Sequence, residues 1–543
     1  MTKRANPWAA LIALCVGFFM ILLDTTIVTI AIPSMVRGLD TDLNSVVWVI
    51  SIYLLVYAVL MLFTSRLGDR FGPKRVYLAG MVVFTAASLW CGLSGTAETL
   101  IAARGLQGLG AALMTPQTLS FITHLFPPAK RGPAMGMWGG IAGLATITGP
   151  LLGGVLVDSL GWEWIFFVNV PIGVVGIVLA VVLVPDWKPG RLRSFDVPGI
   201  LLSVAGLGLL VFGIQNGQHF DWGQVRDWIS IPEIIAAGVV LLIAFVFWQR
   251  YNRGEPLVPL RVFGNRNFST GTATATAIGF AMTGMFVPLV LYTQSVLGLS
   301  PTKAGLLTAP MSLLSGMIAP FIGRLSDRGN AKYLVMTGFL ALATGLGLVA
   351  LISRPDTNPW TLVPALLVAG VGTGFVFAPM SNITMRSVEP ALAGTASGIF
   401  NTSRQVGGVL GSAAIGVLLQ ARISASMTDE ATEAARSLPP EYRETFVNGV
   451  SQAASSANEL GPAAGGGVPS NLPSEVADQI QRLATQVVHN GLTDATRESM
   501  ILPIAVLLIG ALTATLMRRN PAPEPPRAPE PTPDTAPTEG ERV

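Results

Sequence analysis

The stretch "ILLDTTIVTI", residues 21–30, sets one carboxylate in a run that is otherwise apolar or hydroxylated. Asp24 stands about sixteen residues into an apolar run that opens near position 8, roughly 24 Å along a helix rising 1.5 Å per residue. An aspartate near the centre of a lipid-embedded helix costs about 2.5–3.5 kcal/mol on insertion scales. It must therefore be protonated, paired, or turned toward a wet cavity. Desolvation favours the neutral acid and a nearby cation favours the carboxylate, so small rearrangements around such a group load or release a proton. Arg104 is the natural partner. It lies about five residues, or roughly 8 Å, below the far end of its own apolar run, and Asp24 lies about 13 Å below Pro33. Similar depths open an ion pair or a water-bridged contact. The alternatives are a static carboxylate holding two helices together and an arginine snorkelling to the interface.

The elements that position these groups are membrane spans. Of the 543 residues, 51% are hydrophobic and only 12% charged, against about 25% charged in a soluble domain. Apolar runs of about 20 residues, the length that crosses a bilayer, recur almost end to end. About fourteen spans are predicted, near 8–32, 45–64, 76–96, 99–122, 134–157, 164–184, 196–216, 229–249, 268–294, 303–323, 332–353, 360–384, 394–420 and 499–517. The first reads as a retained helix, because the run is too long for a signal peptide and lacks a small-residue cleavage site. The expected fold is an all-α polytopic membrane protein.

Basic residues orient it. Lys3, Arg4, Arg66, Arg70, Lys74, Arg75, Lys130, Arg131, Lys188, Arg191, Arg193, Arg250, Arg253, Arg261, Arg266, Arg324, Arg328, Lys332, Arg518 and Arg519 all fall on one side of this alternation. The short loops on the other side hold only Arg37, Arg226, Lys303 and Arg354. The positive-inside rule then puts both termini in the cytoplasm and the chain in the cell (inner) membrane. A net charge of +3 gives nucleic acid no support as a partner. Cys15 and Cys91, both within apolar runs, make neither a disulfide framework nor a metal site.

The chain carries an internal echo. "TSRLGDRFGPKR" from Thr64 follows the second span, and "IGRLSDRGNAK" from Ile322 follows the tenth. Both keep R-L-x-D-R at the same side, as parallel repeats of a transporter do. Residues 1–190 are read as a six-helix bundle, 191–255 as two linker spans, and 256–520 as a second six-helix bundle. Residues 421–498 are expected to form a long polar loop on the outer side, with 472–489 a short amphipathic helix against that face. The proline-rich tail, 521–543, has no apolar run to fold around and is expected to be disordered.

These residues resemble the major facilitator superfamily, and more closely its fourteen-span drug:proton antiporter branch. "LDTTIVTIAIP" is similar to that branch's first-span pattern, with Thr29 in place of an asparagine. "SRLGDRFGPKR" resembles the signature of the loop after span two, with Ser65 for a glycine and Pro73 for an arginine. "RGLQGLGAA", 104–112, matches the fourth-span signature; "TGPLLGG", 148–154, the fifth, with Ala145 for a glycine. "WEWIFFVNVPIG", 162–173, matches the entrance to the sixth, with Glu163 for an arginine. The resemblance implies two six-helix bundles plus two central helices, and proton-driven multidrug efflux.

On that frame the residues take expected roles. Asp24 and Arg104 are expected to couple protons to transport. Asp69, Arg70, Lys74 and Arg75, with Asp327 and Arg328 in the second half, are candidates for a cytoplasmic gate; the alternative is a set of solvated topology charges. Gly149–Pro150, with Gly153 and Gly154, is read either as a kink near the outer gate or as close helix packing. Candidates for the substrate cavity are Tyr53, Tyr57, Gln107, Phe286, Tyr292, Gln294, Phe377, Asn382, Asn401 and Arg404. Asp24, the sole clear intramembrane carboxylate, would suit a lipophilic cation. No cofactor is expected, and no Walker-type sequence offers ATP as the energy source. The working unit is expected to be a monomer moving small amphipathic compounds against protons. Export of one endogenous metabolite or lipid is the alternative. A receptor or enzyme built on 421–498 is a third reading, disfavoured because that segment has no cysteine and a single histidine.

Overall fold

Polar caps and prolines punctuate the apolar runs. Asn6 accepts from the Trp8 N–H just ahead of Pro7, and Asp42 accepts from the Ser45 N–H at 2.7 Å. Reciprocal capping boxes at Thr96/Thr99 and Ser230/Glu233 start two further helices, satisfying N–H groups that have no partner within the helix. Gly72, at φ 97°, makes the tight turn between two helices with Pro73 opening the second.

The computed structural model describes residues 6–187, 196–226, 229–252, 254–326, 331–386, 388–389, 392–456 and 474–518. Lys3, Arg4, Lys188, Arg191, Arg193, Arg253, Asp327, Arg328, Arg519 and the 521–543 tail lie outside them. The helices are α1 (Pro7–Ile30), α2 (Ile32–Gly38), α3 (Leu43–Phe71), α4 (Pro73–Gly92), α5 (Ala97–Leu125), α6 (Pro128–Leu160), α7 (Trp164–Phe167), α8 (Asn169–Leu183) and α9 (Val197–Asn216). A short antiparallel pair, Gln224–Arg226 with Ile229–Ser230, precedes α10 (Ile231–Tyr251). There follow α11 (Arg266–Leu291), α12 (Pro301–Leu325), α13 (Ala331–Ile352), α14 (Val363–Met385) and α15 (Ala393–Ala435). The last are α16 (Pro440–Ser456), α17 (Ser474–Ser499) and α18 (Ile501–Thr515).

Among the described residues twelve helical runs are long and apolar enough to cross a membrane. Helices α5 and α6, of 29 and 33 residues, complete fourteen; Arg104, Gln107 and many glycines lower their hydropathy. Helices α1, α3, α4, α5, α6 and α8 pack among themselves, as do α11 to α15 with α18. The two sets meet along α6–α12 and α3–α15, and the α9–α10 pair lies with α9 against α3 and α15. Apolar side chains such as Val178, Val182, Leu201, Val240 and Phe247 are left exposed on the outer helices, as lipid-facing surfaces require. Alternation of spans puts Asn6 and Arg518 at one face, the terminal face; the other is the far face.

The polar 421–498 segment is helical where described. Helix α15 continues to Ala435, α16 doubles back, and α17 extends from Ser474 to Ser499 almost into α18. Its composition suggested a loop, but periodicity decided the outcome. Ile423, Met427, Ala431 and Ala435 recur every fourth residue and are buried, as are Phe446 and Val450, and Ile480, Ala484 and Val487. That spacing makes one apolar stripe per helix, and the stripes join the main core.

A second feature of the fold is an anchor for the linker helices. Asp196, only 4% exposed, accepts from the Trp248 Nε1–H (2.7 Å), the Gln249 Nε2–H (2.6 Å) and the backbone N–H groups of Gly199 and Leu257. Burial opposes ionisation here, but these donors together outweigh it and hold the Asp196 carboxyl below its usual range. The stability it contributes is present above the unfolded value of about 3.9 and is lost as pH falls through the folded value. Asp196→Ala is therefore expected to cost about 1–3 kcal/mol near neutral pH. Thermal unfolding at pH 7 and pH 3 checks this: the gap between wild type and variant should narrow at the lower pH.

Candidate functional site

Asp24 is fully buried, as are Gln107 and Asn169, and Arg104 is 1% exposed. Asp24 Oδ2 accepts from Arg104 Nη1 at 2.5 Å. Its Oδ1 accepts from Gln107 Nε2 at 2.8 Å and Asn169 Nδ2 at 3.2 Å. Arg104 is held in turn by the Val49 carbonyl (3.1 Å) and by Gln107 Oε1 (2.7 Å). Ser88 Oγ accepts from Gln107 and Asn169 and donates to the Phe166 carbonyl. The Arg104 guanidinium also lies 4.1 Å from the Tyr53 ring centroid. Six helices thus supply one polar cluster: α1, α3, α4, α5, α7 and α8.

Each contribution follows from local sequence. Arg104 and Gln107 are three apart on α5, so they share a face, and both reach the same carboxylate. Asn169 begins α8 in an otherwise apolar run. The expected partnership of Asp24 and Arg104 is present as a direct pair. Gln107, expected in the substrate cavity, belongs instead to the Asp24 cluster. Asn169 and Ser88 were not singled out in the sequence. Asn169 lies within the quoted "WEWIFFVNVPIG", and a lone amide in an apolar span was the available signal.

Pairing has an electrostatic consequence. A buried charge is tolerated when it is paired and hydrogen-bonded, and the Asp24–Arg104 pair carries no net charge. Asp24 therefore does not present the free negative charge on which the expectation of a cationic substrate rested.

The residues expected to kink α6 do their visible work as contacts, because α6 runs as one helix through Pro150. A Cβ on Gly149 would strike Thr26 Oγ1, and one on Gly153 would lie 2.7 Å from Ile27 Cγ1, both on α1. A Cβ on Gly154 would lie 2.6 Å from the Pro301 carbonyl oxygen, and one on Gly305 would strike the Pro150 carbonyl. The Thr302 N–H at the start of α12 donates to Asp158 Oδ2 at 2.9 Å. Gln294 Nε2 donates to the Ile30 carbonyl at 2.9 Å. The two halves are thus closed on each other at the far face.

At the terminal face Lys74 Nζ donates to the Val181 carbonyl (2.8 Å), and Arg75 lies 3.9 Å from Asp186 in an exposed pair. Both contacts stay within the first half, so neither reaches across as a gate between halves would. Asp69 is half-buried and Arg70 exposed, each with partners. Arg66, not among the expected gate residues, does reach toward the second half: it donates to the carbonyls of Glu255 (2.8 Å) and Pro256 (2.5 Å). The expected pair Asp327 and Arg328 lies outside the described residues.

The expected cavity residues separate into two groups. Tyr292 exchanges hydrogen bonds with the backbone of Arg354, Asn382 donates to Ser326 Oγ, Phe286 packs against the main core and Phe377 is 39% exposed. With Gln294 bridging at the far face, none of these shares one wall. Tyr53, Tyr57, Asn401 and Arg404 remain where α3 meets α15. The Tyr53 and Tyr57 rings are 6.0 Å apart, and Tyr57 Oη lies 2.9 Å from Thr115 Oγ1.

The sequence matches the model of the Major Facilitator Superfamily over residues 14–412. An uncharacterized MFS-type transporter of Mycobacterium tuberculosis is 48% identical over 456 residues, covering 82% of this chain and 78% of the relative. The tetracenomycin C resistance and export protein of Streptomyces glaucescens is 33% identical over 541 residues, covering 99% and 96%. In fold the chain is similar to the crystal structure of a bacterial homolog of the human lysosomal transporter Spinster, in an inward-facing, unoccupied conformation. The TM-score is 0.61 at 16% identity, over 96% of this chain and all of that one. With its fourteen apolar helices and these relatives, the chain belongs to the major facilitator superfamily.

Proposed function

We propose that this protein exports amphipathic small molecules in exchange for protons, with Asp24 as the group that takes up and releases the proton. The observation that carries the reading is the buried Asp24–Arg104 pair braced by Gln107 and Asn169. A carboxylate so placed cannot exchange a proton with either face until the helices around it part. Protonation then removes the charge that holds Arg104, and it shifts the balance between conformations by the difference in pairing energy. The similarity to the Streptomyces glaucescens tetracenomycin C resistance and export protein supports the substrate class. The distribution of basic residues supports cytoplasmic termini in the cell membrane. The protein acts as a monomer.

Purified protein in proteoliposomes with an entrapped pH indicator tests the reading. Addition of substrate is expected to drive proton movement in the opposite direction to the substrate. Substrate flux with no accompanying proton movement would refute it.

A further inference from the structure

Arg404 is an intramembrane cation with no counter-charge among the described residues. It stands eleven residues into α15, roughly 16 Å from the terminal face. Among the described residues it forms no ion pair and no side-chain hydrogen bond. Helices α11 to α14 contain no Asp or Glu, and neither do the first 28 residues of α15, a stretch of roughly 42 Å. The one acid buried within the first half, Asp24, is committed to Arg104.

Its surroundings form part of a site. Ser51 of α3 donates to Ser412 of α15 at 2.9 Å and fixes the register of the two halves. Tyr57 lies about 9 Å beyond Ser51 and Arg404 about 12 Å beyond Ser412, both toward the terminal face, so the two stand at similar depth on the facing helices α3 and α15. Arg404 is partly buried and keeps accessible surface. Asn401, one turn away on α15, is also partly accessible. Tyr53, fully buried and one turn before Tyr57, has a hydroxyl with no hydrogen-bond partner. Its ring lies against Arg104, so the row Asp24–Arg104–Tyr53–Tyr57–Arg404 runs from the proposed proton site to the unpaired guanidinium.

We propose that Arg404, with Tyr57 and Asn401, binds an anionic group of the exported compound, a carboxylate or equivalent planar oxyanion on an aromatic or otherwise apolar body. This rests on the export reading and narrows its substrate class. A guanidinium presents a fork of donors that matches a carboxylate in two parallel hydrogen bonds, and the tyrosine rings supply an apolar wall beside it. An arriving anion supplies the charge that α11 to α14 and the membrane-spanning part of α15 lack. It also binds at the seam whose opening and closing moves substrate across.

Binding and export are measured in proteoliposomes for a set of aromatic carboxylates, each beside its methyl ester; 9-anthracenecarboxylate and its ester are one pair. Wild type is expected to prefer the acids. In Arg404→Gln the ratio of acid to ester affinity should fall about ten- to a hundredfold, and Arg404→Lys should retain part of it. Size-exclusion profiles of both variants separate misfolding from loss of preference. An equal ratio in wild type and Arg404→Gln, or no binding of any acid at millimolar concentration, overturns the assignment of Arg404. Failure of wild type to export esters and acids alike overturns the export reading itself.

Discussion

Asp24→Asn is expected to reduce proton-driven export to background. The double variant Asp24→Asn/Arg104→Gln should recover stability without recovering transport. The single change leaves the Arg104 guanidinium buried and unpaired, still touching the Val49 carbonyl, Gln107 and the Tyr53 ring. Removing one member of a buried pair typically costs about 3–5 kcal/mol, so part of the loss in Asp24→Asn comes from the fold. Replacing both members removes the uncompensated charge and keeps amides that hydrogen-bond to one another. What the double variant still lacks is a group that can change its charge. Uptake driven by a pH gradient, read beside thermal stability, distinguishes the two effects. Full coupled activity in either variant would exclude Asp24 as the proton carrier.

Gly305→Val should be nearly as damaging, for a steric reason. In the closed far face Gly305 of α12 lies against the Pro150 carbonyl, and Gly154 of α6 lies 2.6 Å, at the position of a Cβ, from the Thr302 Cα. The obstacles are backbone atoms in paired helices, so they cannot turn aside as a flexible side chain would. Overpacking of this kind costs about 1–3 kcal/mol, charged only to the closed state. Each 1.4 kcal/mol shifts an equilibrium about tenfold, so the variant should populate a far-face-open form and export slowly. Spin labels at the exposed positions 160 and 303 should show a longer distance than in otherwise wild-type protein. An unchanged distance distribution with full transport would mean that these helices do not form the gate. Gly154→Val should behave the same way.

Much of the site was legible in the sequence because burial in lipid makes few arrangements affordable. An aspartate and an arginine at similar depth in apolar helices almost dictate each other as partners, and they were found 2.5 Å apart. Gln107 was legible as polar and intramembrane, but not as a ligand of Asp24. Its choice between cavity and cluster depends on how α5 is rotated against α1. The roles expected of Lys74 and Arg75 also turned on packing: both reach the end of α8 in their own half. Arg66, on the preceding helix α3 one turn before Arg70, is the side chain that meets the 255–256 backbone.

The sequence alone determined that the chain spans a membrane some fourteen times, that its two halves share a landmark, and that Asp24 must be protonated, paired or turned toward a wet cavity. These follow from composition, period and the cost of charge in hydrocarbon, which act locally. Only the tertiary structure decided that Asn169 and Ser88 brace the pair, that the described parts of 421–498 fold into helices on the main core, and that Arg404 meets no acid among the described residues. Those outcomes depend on which faces of distant helices come together, and neither the apolar content of a run nor its length records that.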